Sequence, residues 1–143
     1  MTVVTAADEL GQYLGATVVG LVLGQNLFVG RIPSQPDACT AVYESGGAQP
    51  LLVLTGPGRT PEIKIDQPTF QLRVRDIKYD DAMTTMWACF KALQGVTEQY
   101  LIVGGAAWKL LYALQSPVNL GRDDLQRHEF SVNFRALYEN PNR

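Results

Sequence analysis

The sequence predicts an α+β fold: a mostly antiparallel β-sheet with one long helix packed on one face and a short helix at the amino terminus. Two observations indicate this class. Residues 68–76 alternate apolar and polar side chains, as in a strand with one face on the core and one in water. Residues 79–95 repeat apolar side chains at helical spacing. Since 143 residues fit one compact unit, residues 1–143 are expected to form a single domain.

The first predicted element is the short amino-terminal helix. The hydroxyl of Thr5 can accept a hydrogen bond from a free backbone N–H of the first turn. Asp8 and Glu9 then lie at the positive end of the helix dipole. Gly15 can end the helix, because glycine readily adopts the left-handed conformation found at helix ends. We therefore expect the helix to be short.

The next part of the chain is predicted to hold an extended segment and a strand. Residues 18–29 are apolar but interrupted by glycines, so an extended chain with a tight turn is expected. The prolines in residues 31–37 indicate a loop, because proline cannot donate a hydrogen bond to a strand ladder. Residues 39–45 alternate as a strand, and the glycines and proline of residues 46–50 are expected to end it. Residues 51–62 are ambiguous between a short strand and an exposed loop.

The strand of residues 68–76 and the helix that follows it supply most of the expected core. Asp80 or Asp81 can cap the start of this helix, and Gly95 can stop it. Its apolar stripe is wide enough to cover the apolar face of the strand. Together with the last strand, the expected core contains Phe70, Leu72, Val74, Met86, Trp87, Phe90, Phe130, Val132 and Phe134.

The carboxy-terminal part is predicted to contain three strands. They cover residues 98–105, 107–116 and 127–139, and the last alternates apolar and polar side chains over many positions. Residues 117–126 lie between the last two strands. This segment is too long for a tight hairpin turn, so a loop is expected there.

Composition and charge exclude several classes of protein. Apolar residues make up 46% and charged residues 18% of the chain, which is typical of a folded globular protein. The net charge of −2 lacks the basic excess with which a dedicated DNA-binding domain neutralises phosphates. Cys39 and Cys89 have no metal-ligand spacing and are expected to be buried free thiols in a reducing cytosol. No metal or other cofactor is expected, and no membrane segment.

A charged stretch near the carboxy terminus is the strongest candidate site. Residues 121–130 hold five charged side chains and the only histidine, His128. One interpretation is an active site built on Asp123, Asp124 and His128. Neighbours in a strand point to opposite faces, however, and no orienting partner for the histidine lies at a useful spacing. The stretch is therefore interpreted as an interaction loop that leads into a strand.

Several motifs occur in an order that resembles one protein family. They are "NLFVGRIPSQPDACTAVYESGG", the strand "QPTFQLRVRD", the helix "YDDAMTTMWACFKALQG", and "GRDD" leading into "EFSVNF". In this order they resemble the tail terminator proteins of long-tailed bacteriophages, also called phage minor capsid proteins. The resemblance runs from about residue 8 to residue 138. The segment "LLVLTGPGRTPEIK" departs from the pattern, so the resemblance gives no role to this loop.

The resemblance implies a non-enzymatic structural protein of the virion. It implies a ring, usually a hexamer, that caps the tail tube, ends tail polymerisation and provides a surface for head–tail joining. The implied partners are further copies of the chain, the major tail tube protein and a head-completion or connector protein. DNA would pass through the lumen without specific binding. The protein would act at the head-proximal end of the tail, after assembly in the host cytoplasm.

Charge and position select the candidate contact residues. Complementary charges on a ring interface set the register and exclude wrong partners. The expected contact residues for a neighbouring subunit or the tail tube are Arg122, Asp123, Asp124, Arg127, Arg73 and Arg75. The loop of residues 120–126 is expected to be exposed in the isolated subunit.

Two alternative functions remain open from the sequence. One is another head–tail connector, such as a neck or tail-completion protein. The other is a small α+β hydrolase or ligand-binding domain that uses Asp123, Asp124 and His128. An enzyme would need a concave pocket with converging polar groups, whereas a ring subunit would present open polar surfaces.

Overall fold

Two helices and seven strands make up the described part of the chain. The structure, a computed structural model, describes residues 5–53 and 62–139. In chain order the elements are α1 (Ala6–Thr17), β1 (Leu27–Val29), β2 (Cys39–Val53), β3 (Glu62–Asp76), α2 (Tyr79–Leu93), β4 (Thr97–Tyr100), β5 (Ala107–Ala113), β6 (Val118–Arg122) and β7 (His128–Glu139).

The seven strands form one mixed, curled sheet. Its order is β1-β2-β3-β7-β5-β4, and β6 pairs with β7. Strand β1 runs parallel to β2, whereas the other described pairs are antiparallel. Bulges in β2, β5 and β6 add local twist, which helps the sheet to curl. The fold is therefore an α+β arrangement rich in strand, with a mixed sheet.

Helix α1 begins at the predicted cap. The Thr5 hydroxyl accepts a hydrogen bond from the Asp8 N–H at 3.2 Å, and the Asp8 carboxylate accepts one from the Thr5 N–H at 3.1 Å. These two bonds form a capping box. The helix continues to Thr17, so the prediction that Gly15 ends it is wrong. A glycine inside a helix costs about 1 kcal/mol, which burial of one face of α1 outweighs.

Both helices pack on the same face of the sheet, and the core lies between the two layers. Most of the predicted core residues are buried there, including Phe70, Met86 and Phe134. Trp87 is the exception, because it is 40% exposed on the outer side of α2. The predicted cap of α2 is also wrong. The N-cap residue is Lys78, which makes no side-chain cap bond.

The remaining differences from the predicted elements concern where strands begin and end. Strand β2 does not end at residues 46–50, because Gly46 has a φ of +85° and lets the strand continue through a bulge. Of the strand predicted over residues 98–105, only residues 98–100 are extended, and β4 begins one residue earlier, at Thr97. Residues 118–122 form an edge strand inside the predicted loop 117–126. The ambiguous segment 51–62 continues β2, and its residues 54–61 lie outside the described residues.

Two sequence expectations about side-chain environment can be compared with the structure directly. Cys39 and Cys89 are buried free thiols, as predicted. Burial raises the pKa of both thiols, to about 12 for Cys89, so neither is an activated nucleophile. No helix among residues 5–53 and 62–139 is long and apolar enough to cross a membrane.

Glu9 is a carboxyl group buried inside the core. One of its oxygens, Oε1, accepts hydrogen bonds from the Ala106 N–H at 3.0 Å and the Trp108 indole N–H at 3.3 Å. The other, Oε2, is buried and has no hydrogen-bond partner among the described residues. Burial raises the pKa of Glu9, and the two hydrogen bonds offset only part of this effect. The folded protein therefore favours the protonated form.

This raised pKa makes stability depend on pH. The contribution of Glu9 to the free energy of unfolding is fully present below the ordinary pKa of glutamate. It is lost as the pH rises through the folded-state pKa of Glu9. We expect Glu9→Gln to remove this loss, so that the variant is at least as stable as the wild type at pH 7. Urea unfolding between pH 4 and pH 8 measures the effect, with Glu98→Gln on the exposed strand β4 as the control. The same pH slope in wild type and Glu9→Gln would contradict the assignment.

Candidate interaction site

Five of the six predicted contact residues lie at one end of the sheet, in different surroundings. Residues 123–127 form the turn between β6 and β7, called here the β6–β7 turn. Arg75 ends up beside it, because β3 pairs with β7 through Arg75 and Glu129. Arg73 lies further along β3. The turn itself carries or adjoins Arg122, Asp123, Asp124 and Arg127.

Asp123 organises the β6–β7 turn. Its Oδ1 accepts hydrogen bonds from the N–H groups of Leu125 and Arg127, both at 2.9 Å. Its Oδ2 accepts a bond from Arg127 Nε at 2.7 Å. Gln126 closes the turn with a φ of +63°, and its N–H donates to the Asp123 carbonyl at 3.0 Å. Asp123 is therefore a structural residue of the turn rather than a free contact residue.

The charges of Asp123 and Arg127 stabilise each other. Burial would raise the pKa of Asp123, but hydrogen bonds from the Arg127 backbone and side chain and from the Leu125 N–H lower it below its ordinary value. Burial would lower the pKa of Arg127, and its bonds to Asp123 and Asp37 raise it instead. This stabilisation of the turn is present above the ordinary pKa of aspartate and is lost as the pH falls through the folded-state pKa.

Two buried arginines attach the loop of residues 33–37 to this end of the sheet. Arg127 donates to the Ser34 carbonyl at 2.5 Å and to the Asp37 carboxylate at 3.2 Å. Arg75 donates to the carbonyls of Pro33 and Pro36, both at 2.7 Å, and to that of Asp37 at 3.1 Å. Both side chains are almost fully buried. They hold the scaffold together and are not available to a partner.

The side chains that this end of the sheet presents to solvent at the turn are Arg122, Asp124, Leu125 and Gln126. All four are exposed, and Leu125 retains 62% of its surface. Leu125 was not among the predicted contact residues, although an apolar residue at the tip of a charged loop was a visible signal. Loops on a rigid scaffold often carry binding residues, so Leu125 is available to contact a partner.

Arg73 lies on the sheet face that carries no helix. It is within 3.9 Å of the Glu129 carboxylate and hydrogen-bonds the Tyr43 side chain. Its Nε atom is buried, and no hydrogen-bond partner for it lies within residues 5–53 and 62–139. Arg73 is thus separate from the turn and belongs to a second polar surface.

The residues proposed for an alternative active site have other contacts. Both oxygens of Asp123 accept hydrogen bonds within the turn. His128 packs edge-on against Tyr79, with ring centroids 5.5 Å apart. Asp124 is exposed on the turn. Among the described residues, no group of three or more His, Cys, Asp or Glu side chains is placed to hold a metal ion.

A cleft of about 190 Å³ lies between α2 and the starts of β1 and β2. Its polar lining includes Cys39, Arg75 and Thr84. The Arg75 guanidinium is engaged by the loop 33–37, and burial raises the pKa of the Cys39 thiol. The cleft therefore offers a small recess without an activated nucleophile.

A buried network fixes a turn whose outer side chains, charged and apolar, face solvent. Such a surface suits recognition of another macromolecule.

Comparison with known proteins identifies the family. The family model described as "Bacteriophage tail terminator protein" matches residues 13–140. The chain belongs to this family of phage tail structural proteins, which confirms the resemblance seen in the sequence. A chain of the virion of a native gene transfer agent particle has a similar fold, with a TM-score of 0.57, 18% identity and 91% of each chain covered. No significant match was found among curated proteins.

Proposed function

We propose that the protein caps the phage tail tube as a ring, a hexamer of identical subunits, and ends tail polymerisation. The observation that carries this proposal is the tail terminator family match over residues 13–140. In this proposal residues 1–143 act as one terminator-like domain. The role is structural and non-enzymatic, and it needs no cofactor.

The proposed partners lie above and below the ring. One face meets the last ring of the major tail tube protein, and the other meets a head-completion or connector protein. The protein then sits at the head-proximal end of the tail, after assembly in the host cytoplasm. DNA passes through the lumen without specific binding. The net charge of −2 suits this passage, because a strongly basic lumen would retain phosphates.

The β6–β7 turn is our proposed contact with the ring's partners or with a neighbouring subunit. The contacting side chains are Arg122, Asp124 and Leu125, which are exposed. Asp123 and Arg127 act as positioning residues, because their hydrogen bonds fix the turn. A turn that is already ordered loses little conformational entropy on binding, which favours affinity.

The experiment replaces only the exposed side chains of the turn. The variant Arg122→Ser/Asp124→Ser/Leu125→Ser is expected to keep its free energy of unfolding within about 0.5 kcal/mol per site, as is usual for surface changes. Tails assembled with this variant are expected to be overlong or not joined to heads. Electron microscopy measures tail length and the fraction of tails that carry a head.

A control variant tests whether the effect is specific to the turn. Glu98→Ser/Gln99→Ser/Tyr100→Ser changes three exposed residues of β4 and is expected to give normal tails. Normal tails from the turn variant would contradict its role as the contact. Normal tail length in the complete absence of the protein would contradict the capping function itself. A loss of head joining with normal tail length would favour a different head–tail connector.

A further inference from the structure

Trp87 is a tryptophan exposed on the outer side of α2. It retains 40% of its surface, although the sequence places it in the apolar stripe of the helix. Its ring packs edge-on against Phe90, with centroids 5.2 Å apart. Phe90 in turn contacts the buried Phe134, at 6.0 Å between centroids. Trp87 is therefore held in a defined position while much of its surface remains open to a partner.

The surroundings of Trp87 form a shallow groove with a carboxylate at one end and a lysine at the other. It is lined by Asp80, Met83, Thr84, Trp87, Ala88 and Lys91. Asp80 and the adjacent Asp81 are exposed in the first turn of α2. Neither carboxylate has an ion pair or a hydrogen bond within the described part of the chain. This end of the groove is therefore negatively charged and open.

The opposite side of the subunit is the sheet face that carries no helix. Arg135 lies on this face, and its Nε is buried without a hydrogen-bond partner in the described part of the chain. It has no ion pair among residues 5–53 and 62–139. Its neighbour across the ladder is Tyr112, and Leu114, which directly follows β5, is 44% exposed. This face therefore combines an uncompensated cation with aromatic and apolar side chains.

The Asp80 end of the groove and Arg135 carry opposite charges and lie on opposite sides of one chain. Both helices pack on the other face of the sheet, so Trp87 and Arg135 point away from each other. A contact between two different surfaces of identical subunits is heterologous, and it gives a ring when the rotation closes. Tryptophan, tyrosine and arginine are also the residues that most often dominate the energy of protein interfaces.

We propose that the Trp87 groove of one subunit binds the Arg135 face of a second copy of this chain, and that this helix-on-sheet contact is repeated around the ring. Asp80 and Asp81 of one copy then meet Arg135, and Trp87 packs against Tyr112 and Leu114. The inference rests on the proposed ring and adds the surfaces that form it.

Charge reversal tests the contact in the full chain. Trp87→Ala and Arg135→Glu are each expected to raise the dissociation constant for subunit association at least tenfold, as is usual for interface hot spots. Asp81→Arg is expected to weaken association as well. The combined variant Arg135→Glu/Asp81→Arg is expected to recover much of it, because every contact again pairs opposite charges. Native mass measurement at fixed protein concentrations, with and without tail tubes, gives the oligomer populations.

Matched controls separate a lost contact from a lost fold. Tyr100→Ala removes an aromatic side chain that is 68% exposed on β4, and it is expected to leave association unchanged. Thermal unfolding is expected to show that each variant is folded. If Arg135→Glu does not fold, the contact can be tested by cross-linking instead. The double variant Ala88→Cys/Leu114→Cys is treated with a flexible reagent that joins two thiols. This variant is expected to give a ladder of cross-linked multimers, whereas each single cysteine variant gives at most a dimer.

The outcomes distinguish this inference from the proposed function. A wild-type protein that forms no ring, alone or on tail tubes, would overturn the ring and this contact together. Rings that persist unchanged in Trp87→Ala and Arg135→Glu would overturn only the contact. The contact would also be overturned if the double cysteine variant forms rings like the wild type but gives no cross-linked multimers. Recovery of association in the double charge reversal supports it.

Discussion

Replacing Phe134 with alanine is expected to lower the free energy of unfolding by about 3–5 kcal/mol. Phe134 is only 1% exposed and lies on β7, between β3 and β5 at the centre of the sheet. It pairs with Phe70 across the β3–β7 ladder and contacts Phe90 of α2. Because strands on both sides and the helix above fix these neighbours, they cannot collapse into the space that the ring leaves.

Urea unfolding measures this loss through the midpoint at an unchanged m-value. The control is Tyr100→Ala, an aromatic residue on the exposed strand β4, which is expected to shift stability by no more than about 0.5 kcal/mol. A loss below about 1 kcal/mol in Phe134→Ala would mean that the core between β7 and α2 is not packed as described.

Alternating and helical patterns predicted the elements that bury one face. The strand of residues 68–76, the last strand and α2 were all recognised, because a period of two or of 3.6 is imposed directly by contact with a core. The edge strand β6 was missed. Its residues Val118 and Leu120 are both about half exposed, so burial imposes no alternation on them. Its pairing depends on β7, which the local sequence does not encode.

Glycines and prolines were the second source of error. The sequence of residues 46–50 looks like the end of a strand, yet β2 continues through it. Gly47 lies so close to β3 that a Cβ atom there would be 2.2 Å from the Gln67 carbonyl oxygen. The glycine is needed for the close approach of two strands, not for a turn. Sequence alone does not separate these two uses of glycine.

The charge of residues 121–130 selected the candidate site in the sequence. It did not show which of the candidate residues are buried in the scaffold and which are exposed. Arg75 and Arg127 were both predicted as contact residues, and both are buried against the loop 33–37. Their acceptors are backbone carbonyls far away in the sequence, which leave no signal near either arginine. Trp87 shows the opposite error, since its helical spacing predicted burial. The charge of a segment identifies a polar surface, and the spacing of apolar residues identifies the buried side of a helix. The tertiary fold decides which of these side chains stay exposed to a partner.

Replacing Arg75 with methionine is expected to lower the free energy of unfolding by about 2–4 kcal/mol, since hydrogen bonds to a charged donor contribute about 1.5–3 kcal/mol each and are not additive. The side chain is 3% exposed and donates to three carbonyls of the loop 33–37. Methionine fills similar space but donates no hydrogen bond. Of the two buried arginines, Arg127 alone then holds the loop, so the loop's backbone amides are expected to exchange hydrogen faster.

Two further variants separate the hydrogen bonds of Arg75 from its bulk and charge. Arg75→Lys keeps the charge but not the planar fork that reaches several carbonyls, so its loss is expected to be intermediate. Arg122→Met removes an exposed arginine whose one described bond, to Gln126, is 3.4 Å long, and it is expected to change stability by no more than about 0.5 kcal/mol. Equal losses in Arg75→Met and Arg122→Met would contradict the assigned role of Arg75. Unchanged hydrogen exchange in the loop 33–37 would contradict it independently, because the loop would then be held by other contacts.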